Sequence, residues 1–295
     1  MLQPGTLWRS VAQAKRRAVS RGALQPVETE QEDIEDCGIR FLVRRASNLA
    51  RKAELLTPNQ AAKSVDPFLP YDPMLFVAHA SQTHSILLNK FPVLDHHLLI
   101  VTRAFEHQET LLDPADFSAL AICMGESEAL GFYNGGRDAG ASQDHKHLQV
   151  VPLPLASGEA ELPVGPLFRH AQLSGRIGVV PGLPFCHAYA NLESANWERP
   201  ELVGELLTAI YRGLCRAAGI EEREAQAGRI QSAPYNLLLT RQWMLLVPRS
   251  CERYASISVN ALGFAGSLFV KDRTQLERVR EVGPMRLLRE VAVPA

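Results

Sequence analysis

The spacing of apolar side chains changes along the chain between the periods of helices and strands. Residues 7–19 place their apolar positions at roughly helical intervals, which predicts an amphipathic opening helix with a basic, solvated face. Residues 48–52 also turn helical, and Asp113 before Pro114 predicts a further helix that runs to about Leu130. Short apolar runs predict strands at residues 38–46, 75–78, 85–89 and 97–102.

The pattern continues with strands and helices after a loop at residues 131–143, which contains four glycines. This loop leads into alternating positions at residues 145–151, which predict a strand, and residues 155–182 form an irregular crossover. The second half predicts a helix at residues 200–218, strands at 235–240 and 243–248, a glycine-rich stretch at 263–266 and a closing helix. The order predicts an α+β fold with antiparallel strands, divided at 1–155 and 156–295 but packed as one continuous unit.

Composition narrows the classes of protein that this pattern allows. The 295 residues carry 31 Lys and Arg against 32 Asp and Glu, and this neutral balance argues against a nucleic-acid-binding protein. No apolar run approaches the roughly 20 residues of a membrane-spanning helix. The five cysteines are scattered and form no C-x-x-C pair, so we expect reduced thiols and a cytoplasmic protein. The basic first 27 residues also have the composition of a transit peptide, but their helical spacing favours the opening helix.

The candidate chemistry lies in the predicted strand at residues 145–151. Successive side chains on a strand point to opposite faces, so His145, His147 and Gln149 form a row on one face. The alternate positions Lys146 and Leu148 point to the other face. A single histidine is usually a hydrogen-bonded structural residue, but packing alone does not explain such a row behind a glycine loop. The row predicts a functional site.

Two kinds of chemistry fit the row. Imidazoles two residues apart on a strand can bind one zinc ion. A third ligand is missing, however, because Gln149 is a poor zinc ligand. The adjacent residues His96 and His97 point to opposite faces, so at most one of them could join the site. Alternatively, one imidazole attacks phosphorus and forms a covalent nucleotidyl-histidine. A neutral imidazole is a competent nucleophile because its unperturbed pKa lies near 6.5. In that case His145 and backbone carbonyls fix the tautomer of His147, and the Gln149 amide binds a phosphate oxygen.

The glycine loop before the row supports the nucleophile hypothesis. Asn134, Gly135 and Gly136, followed by residues 140–143, bring small side chains to the entrance of the strand. Glycines allow the backbone to approach closely and adopt positive φ, so that consecutive N–H groups can converge on phosphate oxygens. Many glycine loops serve turn geometry only, but the position directly before the histidine row favours phosphate binding.

These motifs resemble those of a known family. The run from Phe132 to Gly136, followed by Gly140 to Gln149, is similar to the signature of the diadenosine tetraphosphate (Ap4A) phosphorylases, also called ATP adenylyltransferases. These enzymes belong to the histidine-triad superfamily, close to the galactose-1-phosphate uridylyltransferases. Further segments resemble the family at residues 47–52, 67–71, 83–84, 87–91, 97–103, 184–187, 235–240 and 262–266. The resemblance therefore extends over almost the whole chain.

The resemblance implies a fold, a reaction and a set of site residues. It implies a histidine-triad-like fold with a central, mostly antiparallel sheet flanked by helices, and an enzyme that reversibly converts Ap4A and phosphate to ADP and ATP. His147 would be the adenylylated nucleophile, assisted by His145 and Gln149. The implied substrate-binding residues are Lys52, Asn89, Lys90, Asn134, Gly140, Ala141, Ser142, Gln143, Gln149, Asn236, Thr240 and Arg249. We expect no metal bound by the protein, Mg²⁺ only as carried by the nucleotide, and neither nucleic acid nor membrane as partner.

Two other functions remain as alternatives. The uridylyltransferase relatives have a His-Pro-His motif and zinc ligands, whereas this chain has Lys146 between the histidines and no C-x-x-C. A non-enzymatic nucleotide-binding protein would keep the loop and lose the nucleophile, but His147 is present. Gln149 stands where the histidine-triad pattern has a third histidine, which favours transfer to an acceptor other than water. His84, His97 and His187 could each line the cleft, but they lie among apolar residues, which favours hydrogen-bonded core histidines.

Overall fold

The structure, a computed structural model, describes residues 1–46, 66–156, 162–192, 196–225 and 228–295. Within these ranges the chain forms helices between and around the strands of a large sheet. The α-helices are α1 Leu7–Ser20, α2 Pro114–Gly125, α3 Gly165–Phe168, α4 Pro200–Ala217, α5 Ala261–Phe264, α6 Arg273–Val282 and α7 Pro284–Val291. A single turn of 3-10 helix spans Arg137–Ala139. No helix in these ranges is long and apolar enough to cross a membrane.

The strands of the first half are β1 Thr29–Asp36, β2 Ile39–Ala46, β3 Phe76–His79, β4 His84–Leu88, β5 Leu98–Thr102, β6 Ala129–Gly135 and β7 His147–Pro152. Those that follow are β8 Gln172–Ser174, β9 Ile177–Val179, β10 Ala188–Asn191, β11 Glu222–Ala225, β12 Gly228–Gln231, β13 Tyr235–Leu239, β14 Trp243–Pro248, β15 Arg253–Tyr254, β16 Ile257–Ser258 and β17 Ser267–Val270. This mixture confirms the predicted α+β class.

One antiparallel sheet connects the two halves of the chain. Its ten strands follow the order β3-β4-β5-β7-β6-β13-β14-β10-β9-β8, so β7 lies near its middle. One apolar core packs α1, α2 and α4 against one face, and a second core covers the other face with the C-terminal helices. A smaller sheet, β1-β2-β17, pairs β2 with β17 in parallel. The sheet thus joins both halves, while the boundaries 1–155 and 156–295 stay a prediction.

The predicted helix at Asp113 begins as expected but ends earlier. Asp113 accepts hydrogen bonds from the backbone of Ala115 and Asp116, forming a capping box with Asp116. The prediction that the helix reaches Leu130 was wrong, because α2 ends at Gly125 and the chain turns back as β6. Gly131 allows this strand to lie against α2, since a Cβ there would approach the Met124 sulfur to 2.8 Å.

Other segments differ from or extend the sequence prediction. The loop predicted at residues 131–143 begins only after Gly135, because its first five residues complete β6. The crossover predicted at residues 155–182 contains the hairpin of β8 and β9, which extends the sheet at its edge. The helix predicted at residues 48–52 lies outside the described residues.

A buried ion pair joins Lys146, the residue directly before β7, to α2 on the face opposite the histidine row. Lys146 donates to Asp116 at 2.6 Å, and both side chains are about 1% exposed. Asp116 also accepts from Nε2 of His84 at 3.0 Å. Burial alone would raise the pKa of Asp116, but the Lys146 cation and the His84 hydrogen bond outweigh it and lower this pKa. The start of the histidine strand is therefore fixed to the helix by paired charges.

Replacing Asp116→Asn should destabilise the protein strongly. The substitution keeps the size of the side chain but leaves the buried Lys146 ammonium without its main counter-ion, a loss of about 3–5 kcal/mol in such pairs. Urea unfolding would measure it, with Asp95→Asn as control, because Asp95 pairs with Lys15 at a largely exposed site. The control should lose less than about 1 kcal/mol. Equal losses in both variants would contradict this account of the fold.

Candidate active site

The His147 side chain is held in one tautomer by its own strand. Its Nδ1 lies 2.8 Å from the carbonyl oxygen of His145, and a carbonyl can only accept, so Nδ1 carries the proton and donates. Nε2 then carries the lone pair of the neutral ring. The sequence had predicted that His145 or a carbonyl would fix this tautomer, and the carbonyl of His145 does so.

The surroundings of His147 keep the ring neutral. The side chain is 4% exposed, and the ring of Phe68 lies against it with centroids 5.3 Å apart. Burial lowers the pKa of His147 to about 4 from its ordinary value of 6.5, more than the hydrogen bond to the His145 carbonyl raises it. The charge of His145 lowers the pKa further. At neutral pH the ring is therefore uncharged and keeps its Nε2 lone pair.

A glutamine fills the gap where the two central strands separate at His147. The register pairs Phe132 with Gln149, and beyond this pair the β6–β7 ladder stops. There the Gln108 amide replaces the missing ladder bonds: its oxygen accepts from the His147 backbone at 2.8 Å and its nitrogen donates to the Asn134 carbonyl at 2.9 Å. Gln108 is 2% exposed. Gln108 therefore links the backbones of the two strands where they separate, and sequence reasoning missed this residue.

His145 lies just before the strand and is fixed from both sides of its ring. Nδ1 donates to the carboxylate of Asp66 at 2.7 Å. Nε2 lies 2.9 Å from the hydroxyl and 2.8 Å from the carbonyl oxygen of Thr102. Because both nitrogens have protein partners, neither is available to a metal, and no group of three metal ligands converges among the described residues. The zinc hypothesis gains no support from this geometry.

Gln149 is the third member of the row and contacts a buried histidine. Its Oε1 lies 2.9 Å from Nε2 of His97, and Nδ1 of His97 lies 3.1 Å from the amide nitrogen of Asn89. Burial lowers the pKa of His97 to about 4, although the hydrogen bond to Gln149 raises it. Asn89, predicted to bind substrate, therefore has a protein partner in the structure, and its contact with substrate stays a prediction.

The glycine loop closes on itself and leaves only part of its backbone available. Gly136 and Gly140 have φ of 97° and 88°, values that favour glycine. The Gly140 N–H donates to the Arg137 carbonyl and that of Ala141 to the Gly136 carbonyl, so both amides are used inside the loop. Within residues 140–143, the N–H groups of Ser142 and Gln143 have no partner among the residues that the structure describes. These two amides are available to a phosphate, and their contact with it stays a prediction.

Residues from the second half hold this loop from behind. The Asn134 side chain accepts from Asn236 at 2.9 Å and from the backbone of Ala261 at 2.9 Å. Asn236 also donates to the Ala139 carbonyl at 2.8 Å and accepts from Arg249 at 2.5 Å. Burial lowers the pKa of Arg249 to about 10, and its other hydrogen bonds go to backbone carbonyls. These three predicted substrate-binding residues thus form a buried support, and direct contact with substrate stays a prediction.

The remaining predicted substrate-binding residues are Thr240, Lys90 and Lys52. Thr240 lies four residues beyond Asn236, about 13 Å along the strand direction. Lys90 is exposed, with its ammonium 5.3 Å from the Phe91 ring, and Lys52 lies outside the described residues. For Thr240, Lys90 and Lys52 the predicted contacts stay predictions.

The other histidines have structural partners. His84 is buried against Asp116, as the core interpretation expected. His187 is half-buried and donates from Nδ1 to the Phe185 carbonyl. His97 is buried too, but it contacts a member of the row.

The site has a neutral, oriented histidine near the middle of the large antiparallel sheet, and a glycine loop precedes its strand. This arrangement defines a nucleotidyltransferase type of site, and the comparisons agree. Residues 1–170 match the model of the Ap4A phosphorylase N-terminal domain, and residues 181–294 match that of the ATP adenylyltransferase C-terminal domain. The chain therefore belongs to the Ap4A phosphorylase family. The family predicted from the motifs is confirmed.

The similar proteins include two from Saccharomyces cerevisiae. Diadenosine 5',5'''-P1,P4-tetraphosphate phosphorylase 2 is 29% identical over 90% of this chain and 87% of its own length. Protein APA1 is 26% identical over 94% and 91%. The crystal structure of yeast Ap4A phosphorylase Apa2 in complex with Ap4A matches with a TM-score of 0.78 at 24% identity, covering 100% of this chain and 99% of that chain. This match confirms the predicted fold.

Replacing Gln108→Leu should destabilise the centre of the sheet. Leucine has a similar volume but leaves the buried His147 N–H without its acceptor and removes one of the donors to the Asn134 carbonyl, at a loss of about 1–3 kcal/mol. Urea unfolding would measure the change, with the half-exposed Gln143→Leu as control. A loss of stability no larger than that of the control would show that Gln108 does not replace the missing ladder bonds.

The stability of the protein should depend on pH through His147. Its folded pKa of about 4 lies below its ordinary value of 6.5, so the unfolded chain binds a proton first as the pH falls. The contribution is fully present above pH 6.5 and is lost as the pH falls towards 4, at roughly 1 kcal/mol per pH unit. Unfolding of the wild type and His147→Asn between these pH values would show it. Parallel curves for the two proteins would contradict the low pKa.

Proposed function

We propose that this protein phosphorolyses Ap4A with inorganic phosphate to ADP and ATP, reversibly, through an adenylyl group on Nε2 of His147. The observation that supports this most is the hydrogen bond from Nδ1 of His147 to the His145 carbonyl, which leaves Nε2 as the basic nitrogen of a neutral ring. Membership of the Ap4A phosphorylase family supplies the substrate class. The proposal includes a cytoplasmic location, with neither nucleic acid nor membrane as partner.

In the first step the His147 lone pair attacks the α-phosphorus of one adenylyl group. A bond forms between Nε2 and phosphorus, the bond from phosphorus to the bridging oxygen breaks, and ATP leaves with that electron pair. The ring gains positive charge while Nδ1 keeps its proton, because the His145 carbonyl accepts its hydrogen bond throughout. No proton has to be transferred to the leaving ATP, which is stable as an anion.

In the second step an oxygen of inorganic phosphate attacks the same phosphorus. The phosphorus–oxygen bond of ADP forms, the bond to Nε2 breaks, and the electron pair returns to the ring of His147. Phosphoryl-type transfer depends mainly on positioning and on stabilising charge. The low exposure of His147, with Phe68 against its ring, limits the access of bulk water to this ring.

The negative charge on the transferring group needs donors around it. We assign this role to the Gln149 amide, to the backbone N–H groups of Ser142 and Gln143, and to the ammonium groups of Lys52 and Lys90. Asn134, Asn236 and Arg249 act by holding the loop that carries these amides. Mg²⁺ is carried by the nucleotide rather than by a site of the protein.

Labelling experiments would test the nucleophile directly. Protein mixed with Ap4A labelled in the adenine, without phosphate, should keep label that survives base and is lost in acid, as expected of a phosphoramidate. His147→Ala should keep no label, whereas His170→Ala, which changes an exposed histidine remote from the row, should label normally. Adding phosphate should release the label as ADP.

Three outcomes would contradict the proposed function. Label that persists on His147→Ala would assign the nucleophile to another residue. Release of the adenylyl group as AMP at the same rate with and without phosphate would indicate a hydrolase. A wild type that neither labels nor forms ADP from Ap4A would reject the reaction itself.

A further inference from the structure

A chain of hydrogen bonds leads from the backbone of Phe91 to Gln149, and its first bond has a fixed direction. The Phe91 N–H lies 3.2 Å from Oδ1 of Asn89. A backbone N–H can only donate, so this oxygen must accept. The orientation of the Asn89 amide is thereby set, and its nitrogen Nδ2 points in the other direction.

The orientation of the Asn89 amide determines which atom donates in the next two hydrogen bonds. Nδ2 of Asn89 lies 3.1 Å from Nδ1 of His97, and since an amide nitrogen only donates, Nδ1 must accept. The neutral ring then carries its proton on Nε2, which donates to Oε1 of Gln149 at 2.9 Å. His97 has the opposite tautomer to His147, although both are buried histidines with a pKa of about 4.

The last group in the chain is the Gln149 amide nitrogen. Because Oε1 faces His97, Nε2 with its two hydrogens must point away from His97. Among the described residues Nε2 has no acceptor, although the side chain is only 8% exposed. Gln149 shares one strand face with His147, two residues earlier, so this pair of hydrogens lies on the side of the nucleophile.

We infer that Asn89 and His97 are positioning residues that make Gln149 a hydrogen-bond donor to an oxygen on the phosphorus transferred by His147. The reverse orientation of the amide would bring Oε1 towards a phosphate oxygen, and the two acceptors would repel each other. The chain of bonds excludes that orientation, because each group along it has one role only. This inference rests on the proposed function and adds two residues to the machinery.

The low pKa of His97 is consistent with this role. Burial holds the ring neutral, and a second proton on Nδ1 would face the hydrogens of Asn89. A neutral ring with one defined N–H fixes the orientation of a neighbouring amide, whereas a ring that exchanged tautomers would not. His97 therefore serves a different purpose from an ordinary core histidine.

A double-mutant cycle would test whether His97 acts through Gln149. In Ap4A phosphorolysis we expect His97→Phe to lower kcat about 10- to 100-fold with little change in KM, the range found for residues that orient a functional side chain. Gln149→Ala should lower kcat on the order of 10²-fold. Adding His97→Phe to Gln149→Ala should lower kcat by less than about 3-fold, because the group that His97 positions is already gone.

Two further variants separate positioning from folding. His97→Gln offers an amide nitrogen at the place of Nε2 and should recover part of the kcat lost in His97→Phe. His187→Phe removes a hydrogen-bonded, half-buried histidine outside the site, and its effect should be the same with and without Gln149. Equal losses from His97→Phe in both backgrounds would overturn the inference.

Nitrogen-15 NMR of the wild-type histidines gives a test that needs no variant of His97 to fold. At neutral pH His97 should carry its proton on Nε2 and His147 on Nδ1. A His97 proton found on Nδ1 would overturn the inference even if the enzyme is active. Absence of ADP formation by the wild type would instead reject the proposed function, so the two failures are distinguishable.

Discussion

The hydrogen bond between Nδ1 of His147 and the carbonyl of His145 is the interaction on which the site depends. It joins His147, the first residue of β7, to the backbone two residues earlier, so the backbone itself decides which ring nitrogen is basic. No second side chain has to be positioned for this purpose. Burial then keeps the ring neutral, and the tautomer and the low pKa together provide a nucleophile with one available lone pair. The other residues of the site position the strand, the glycine loop or the substrate with respect to Nε2 of His147.

The paired charges and the candidate catalytic side chains lie on opposite faces of the strand. Lys146 turns towards α2, where Asp116 neutralises it, whereas His147 and Gln149 turn to the opposite face. The buried Lys146 ammonium therefore stabilises the fold through Asp116. A net charge of -1 for the whole chain is compatible with a polyphosphate substrate, because neutral amides and backbone N–H groups can supply much of the local stabilisation.

The sequence predicted the features that depend on the local spacing of apolar and polar residues. It missed the features that depend on contacts between residues far apart in the chain. Alternation along the strand was enough to place His145, His147 and Gln149 on one face, and Asp113 with Pro114 was enough to start α2. Strand β6 was hidden because its glycines resemble a loop, although Gly131 serves close packing against the helix. Gln108 had no local signal at all, since its partner His147 is 39 residues away.

Contacts between residues far apart in the chain also explain why several predicted residues have a different role in the structure. Asn134, Asn236 and Arg249 were found through the family resemblance, but only the fold shows that they bind one another behind the glycine loop. His97 looked like a core histidine because it lies in an apolar run, and only the sheet register brings it against Gln149. Polar residues in apolar runs are thus ambiguous until their partners across the sheet are known.

The central claim is that the adenylyl group is transferred to Nε2 of His147, through a bond to its phosphorus, while Nδ1 keeps its proton. Phosphorus-31 and nitrogen-15 NMR of the adenylylated protein, labelled at histidine nitrogens, would test this most directly. The account predicts coupling of the phosphorus to Nε2 of residue 147, with Nδ1 still bearing a proton. Coupling to Nδ1, or to the ring of a different histidine, would contradict it.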